Sequence, residues 1–172
     1  MVQQVPYLAA QSMLDAGAPY GRHNYWKSSF LRGLEDDAIA NVDEHARQIT
    51  SPYSLCLIEH VHGAPTRRPV DATAFAVRDE HFHFVAIASW DPVEVPVRHV
   101  HWARAFWNAM QAWSANRVYM NILGPDESDR VAEAYGPNYA RLQQVKAKFD
   151  PLNVFRINQN IPPRSEADIA RA

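Results

Sequence analysis

The sequence predicts an α+β fold: an antiparallel sheet of about four to five strands in a ferredoxin-like split β-α-β arrangement, helices on one face, and two further helices appended at the C-terminus. Three observations predict it. Residues 81–90 carry apolar groups on both sides of a period-2 pattern, as a central strand does. Residues 35–49 and 96–114 repeat apolar residues every three or four positions, as one-sided helices do. Between and around them the order from Tyr25 is strand, helix, strand, short strand, strand, helix, strand.

The elements follow in chain order. Residues 1–24 are turn-rich, with Pro6, Gly17, Pro19 and Gly21, and read as an arm or linker in which Leu8 to Leu14 carries a short helical pattern. Tyr25–Leu31 is aromatic and alternating, a strand. In Glu35–Ile49 the apolar positions Ala38, Ile39, Val42, Ala46 and Ile49 form a stripe, acids crowd the first turn where the helix dipole favours them, and Pro52 follows the end. Ser54–His62 is a strand with Leu55, Leu57 and Val61 on one face and Cys56, Ile58, His60 and His62 on the other. Ala72–Val77 reads as a short strand and His81–Trp90 as the central one. Pro96 opens the long helix, whose stripe contains Val100, Ala103, Phe106, Trp107, Met110 and Trp113. Core packing accounts for these tryptophans better than ligand stacking does. Arg117–Leu123 is a strand, and helices near 127–135 and 137–148 follow, split by Gly136-Pro137 and ended by Asp150-Pro151. Residues 25–163 thus form the domain, and 164–172 a polar, flexible tail.

Composition narrows the function. With 172 residues, 47% hydrophobic and 21% charged, the chain suits one soluble globular domain. A net charge of -2 without a Lys/Arg stripe argues against nucleic acid. No apolar run reaches membrane-spanning length, and no secretory leader precedes the domain, so the expectation is a cytoplasmic protein. Cys56, the single cysteine, lies in an apolar run and reads as a buried, inert thiol. The glycines are isolated, which removes phosphate-loop and dinucleotide-fingerprint readings.

The run Tyr135-Gly-Pro-Asn-Tyr-Ala-Arg-Leu-Gln-Gln-Val-Lys-Ala-Lys-Phe-Asp150, followed by Pro151-Leu-Asn-Val-Phe-Arg-Ile-Asn-Gln-Asn-Ile161-Pro-Pro, resembles the C-terminal signature of FAD-linked oxidases of the berberine bridge enzyme type. The resemblance extends, in family order, to Tyr25–Leu31, Ile58–Ala64, Ala72–Phe75, Trp90–Pro92 and Val118–Asn121, with the berberine-like part at about 117–163. It implies the substrate or cap domain of a two-part flavoenzyme that oxidises a hydroxyl or amine carbon by hydride transfer to flavin. No stretch resembles the N-terminal FAD-binding domain, so FAD is expected to be held weakly or not at all by this chain alone, with a flavin-domain chain as partner. Tyr119 and Asn121 match the family's Tyr-x-Asn, and Asn158, Gln159 and Asn160 match its terminal motif; these are the implied cofactor contacts. Many carbohydrate-oxidising members place a tyrosine base directly after that asparagine. Here the position is Ile122, whose alkyl group accepts no proton, so no catalytic residue is assigned. The implied pocket residues are Lys27, His60, His62, Trp90 and Ile122, although an exposed lysine on an edge strand is the stronger reading of Lys27.

Three His-x-His pairs occur: His60/His62, His81/His83 and His99/His101. Paired strands could bring the first two together as zinc ligands. Against that, Arg-Asp-Glu-His81 has the composition of a water-facing turn, and no acidic or thiolate ligand stands at suggestive spacing, so no metal is expected. Three function classes stay open: the flavoenzyme cap domain; a freestanding non-catalytic module that binds a small molecule or dimerises; and, furthest back, a zinc hydrolase. In the first two a homodimer is expected.

Overall fold

A computed structural model describes residues 3–13, 15–157 and 159–164. Its centre is a three-stranded antiparallel sheet in the order β1-β3-β2, built from β1 (His23–Leu31), β2 (Leu55–Val61) and β3 (His81–Trp90). The predicted central strand is the central strand. Register is fixed along its length: Phe30 lies opposite His83, Lys27 opposite Ala86, Glu59 opposite His83 and His60 opposite Phe82.

Side chains alternate across a strand, so this register sorts the residues onto two faces. One face presents Leu31, Phe84, Ala86, Ala88 and Trp90 to the helices, where they form the main core with Trp102, Ala103, Phe106 and Met110. α2 (Asp36–Ala46) and α3 (Val97–Ala109) cover this face, and α3 tightens into a 3-10 turn at Met110–Trp113. The aromatic stripe is core, as the periodicity requires. Phe84 and Phe106 meet edge-on with centroids 4.9 Å apart, Trp90 stacks on the buried His99 at 5.0 Å, and Trp107 Nε1 donates to the Ser28 carbonyl. The other face carries Trp26, Ser28 and Phe30 of β1, Leu55, Leu57, Glu59 and Val61 of β2, and His81, His83, Val85 and Ile87 of β3. Its Trp26, Leu55 and Leu57 are about 40% exposed, so no element of the described chain roofs that end of the sheet.

The α+β class stands, but the sheet has three strands among the described residues rather than four to five. β3 lies between β1 and β2 as in a split β-α-β unit, and the fourth strand of a ferredoxin-like sheet is not formed among them. Ala72–Val77 is a looped segment. The carbonyls of Val70 and Thr73 are taken by the side-chain amide of the buried Asn138, at 2.7 and 3.0 Å, so they need no strand partner. Arg117–Leu123 also fails to form a strand. It touches the edge of β1 where Phe30 N donates to the Arg117 carbonyl, after Asn116 has turned the chain at φ +53°, and then winds into a 3-10 turn at Met120–Ile122. In place of the helix predicted near 127–135 stand a 3-10 segment, Pro125–Arg130, and the short α4 (Val131–Tyr135). Gly136 caps α4 at φ +50°, a left-handed conformation suited to glycine, and α5 (Tyr139–Phe149) follows. Val118, Leu123, Val131 and Ala134 form a second, small core with Ile161 packed on it. In the N-terminal arm the short α1 (Tyr7–Gln11) is wholly exposed, and Leu14 lies outside the described residues.

Candidate functional site

Where β1 and the 3-10 turn at Met120–Ile122 meet the uncovered sheet face, a cavity of about 630 Å³ opens. Its walls are largely aromatic: Phe30, Phe75, Tyr119 and Tyr135, with His81 and His83 between them. Parity explains the assembly. Phe30 of β1, His81 and His83 of β3, and Glu59 and Val61 of β2 are cross-strand neighbours on one face, and the Ala74–Phe75 loop and Tyr119 close over them. Phe30 packs 4.4 Å from the His81 ring and 5.2 Å from the His83 ring, and Tyr119 stands edge-on to His83 at 5.6 Å.

The two imidazoles are polar groups in an apolar setting. His83 is 4% exposed, and its Nδ1 lies 2.9 Å from Glu59 Oε2, where it donates to the carboxylate. His81 is 2% exposed and donates from Nδ1 to the Asp79 carbonyl at 2.7 Å. Both bonds leave Nε2 as an acceptor, and both Nε2 atoms are buried without a partner, as is Ser28 Oγ on the same face. Burial pushes the His83 pKa below its ordinary value, and the Glu59 carboxylate opposes the shift only in part. The sign follows. Below the ordinary histidine value of about 6.5 the unfolded chain binds a proton that the folded chain resists, so His83 costs stability as pH falls. We expect the urea midpoint to drop between pH 7.5 and 5.5 and the drop to shrink in His83→Gln; an unchanged slope in that variant would contradict the assignment.

The structure redistributes the residues singled out by sequence. Tyr119 and Asn121 do line the cavity, with Asn121 Nδ2 donating to Tyr119 Oη at 2.8 Å, while the adjacent Ile122 is half-buried and does not line it. Lys27 faces α3 instead, buried between Asp126 and Glu127 at 3.2 Å each, so it is neither a pocket residue nor an exposed edge lysine. Trp90 belongs to the core beneath α3. His60 and His62 lie outside the cavity, rings 4.5 Å apart, with His60 stacked on Phe82 and its Nε2 2.8 Å from Glu80 Oε1. The four-imidazole cluster is ruled out by register: His60 opposes Phe82, so it points away from the face that carries His81 and His83. His81, expected in water, is buried. Gln159 Nε2 donates to the Leu123 carbonyl at 2.6 Å, tying the terminal run to the 117–123 segment, and Asn160 Oδ1 is buried with no partner. Asn158 lies outside the described residues. Cys56 behaves as expected of an inert thiol, burial having pushed its pKa up to about 12.

Sequence reasoning passed over Glu59 and weighed His81 and His83 only as metal ligands. The available signal was Glu59 itself, a lone carboxylate on the face that alternation assigns to Leu55, Leu57 and Val61.

Residues 118–162 match the family model described as berberine and berberine like. The FAD-linked oxidoreductase YvdP of Bacillus subtilis is 30% identical over 141 residues, covering 82% of this chain and 30% of that protein. Berberine bridge enzyme-like C-1 of Nicotiana tabacum is 27% identical and covers 83% of this chain and 30% of its own length. Among solved structures, berberine bridge enzyme from Eschscholzia californica superposes with a TM-score of 0.75 at 21% identity, over 83% of this chain and 33% of that one. A glycopeptide hexose oxidase gives 0.73 at 24%, over 83% and 33%. These superpositions establish the shared fold. The chain spans about a third of the length of the curated relatives it matches. Among the described residues no helix is long and apolar enough to cross a membrane.

Proposed function

We propose that this chain, a berberine bridge enzyme-like portion of an FAD-linked oxidase, supplies the substrate-facing side of a flavin-dependent oxidoreductase site. The observation that carries the reading is the aromatic cavity on the sheet face that α2 and α3 leave uncovered, with Tyr119 and Asn121 in its wall. Flavin, when bound, would accept a hydride from a substrate carbon bearing a hydroxyl or amine group. The chain's own residues suit that partner. Asn160 Oδ1 is a buried acceptor without a donor, and Tyr119 and Asn121 present a hydroxyl and an amide that bond only each other, so both could turn to a flavin edge or ribityl hydroxyl. Phe30, Phe75 and Tyr135 would exclude water from a substrate and hold it flat against the sheet.

Trp26, Leu55 and Leu57 favour a large neighbour on the open face. A flavin-binding domain is the neighbour this reading requires; a second copy of the chain, making a homodimer, is the alternative. Mixing the chain with the flavin-binding region of YvdP should give a yellow complex in sedimentation, with bound-flavin absorbance that Leu57→Glu weakens. A chain that only self-associates, under conditions where that flavin region stays apart, would favour the non-catalytic module instead.

A further inference from the structure

We infer that His83, oriented by Glu59, is the proton acceptor for a substrate hydroxyl in the cavity. This rests on the oxidoreductase reading and assigns the one role that Ile122 leaves vacant. Three features of the site support it. The Nδ1–H bond to the Glu59 carboxylate fixes the tautomer, so the lone pair of Nε2 is the free one. That Nε2 is buried on a cavity-lining residue and has no partner, a state that a donor hydroxyl would relieve. Glu59 is 54% exposed, so its carboxylate stays solvated and is placed to stabilise an imidazolium once it forms.

The comparison with His81 singles out His83. Both line the cavity and both have an orphan Nε2, but His81 donates to a backbone carbonyl. A neutral carbonyl fixes a tautomer yet offers a new cation far less than a carboxylate does, so His81 serves as a second acceptor that positions a hydroxyl. Burial keeps His83 neutral and ready to receive a proton at neutral pH. In the step itself the substrate O–H proton passes to His83 Nε2. An oxidised flavin, when bound, would accept the electron pair of the breaking C–H bond as hydride, which would leave the former alcohol as a carbonyl. Two electrons leave the substrate, and the imidazole ends as imidazolium beside Glu59. Phe30 and Tyr119 pack against the imidazole, so a hydroxyl reaches Nε2 with a rotation of one of those rings.

The test uses the whole chain with ¹⁵N-labelled histidine and needs no flavin. Long-range ¹H–¹⁵N spectra should show His83 as the Nδ1–H tautomer, mixed with the other tautomer in Glu59→Gln. Titrated benzyl alcohol should move the His83 Nε2 resonance, whereas toluene should enter the same cavity and leave it in place. His83→Gln should weaken benzyl alcohol about 5–10-fold, one hydrogen bond's worth, and leave toluene unchanged. An Nε2–H tautomer in the parent chain, identical responses to the two probes at His83, or no response of the cavity to either would overturn the assignment. If the flavin complex forms while Nε2 ignores the alcohol, the dyad fails and the oxidoreductase reading survives; the opposite pair of results would sink the oxidoreductase reading and leave His83 as a hydroxyl-binding group only.

Discussion

Lys27→Met is expected to lower the unfolding free energy by about 3–5 kcal/mol, because it leaves the adjacent Asp126 and Glu127 carboxylates, one of them buried, a cation short. Lys27 and Glu127 keep 8% and 5% of their side-chain surfaces exposed, and the ammonium also lies 3.2 Å from Asp126. Glu127 has other partners, Arg130 at 2.7 Å and the Gly124 N–H at 3.3 Å, but those hold the 3-10 segment to itself. Lys27 joins that segment to β1. Losing it should loosen the segment that links Leu123 to Val131 of the second core as well as lower the urea midpoint. The exposed pair Arg47–Asp43 gives the control: both side chains are mostly in water, so Arg47→Ala should leave the midpoint where it was. Equal effects from the two substitutions would mean that burial is not what matters at Lys27.

Phe84→Ala should cost a similar amount, about 3–5 kcal/mol, by a different route: loss of apolar burial plus an unfilled hole. Phe84 is fully buried in the middle of β3 and belongs to the main core. Its edge-on contact with Phe106 adds a coupling of about 0.5–1.5 kcal/mol, readable from a cycle of Phe84→Leu, Phe106→Leu and the double variant. Additive single effects would show that the two rings do not act as a pair. Both substitutions fall on the α3 side of the sheet. Toluene uptake by the cavity should therefore persist in whatever fraction of either variant stays folded.

α2, α3, α5 and the three true strands were legible because their periodicities are carried by many residues at once. β3 and the stripe of α3 are the plainest cases, and the Asp36–Asp37 start of α2 adds a dipole signal. The false strands had short apolar runs whose backbone needs are met by single side chains elsewhere in the sequence. Asn138, more than sixty positions away, supplies the donors that Val70 and Thr73 would have sought in a ladder, and no local pattern announces that. The candidate site was half legible. Tyr119 and Asn121 came from resemblance, and the structure places both in the cavity wall. The histidine pairs were noticed, and parity correctly put His81 and His83 on one face of β3. Which face was open, however, depends on where α3 packs and on the β2–β3 register, both long-range facts. Lys27 shows the same limit from the other side: position on a strand gives a direction, and only the 3-10 segment at 125–130 decides that the direction ends in two carboxylates.

The alternation of the sheet has an evolutionary consequence. Phe30 of β1, Glu59 and Val61 of β2, and His81 and His83 of β3 line the cavity, while their immediate neighbours along each strand point to the opposite face. A lineage built on this scaffold can therefore change its cavity-facing residues one codon at a time, without exchanging the residues that face the helices. A one-residue insertion inside a strand would exchange the two sets together, so indels should be confined to the connecting loops.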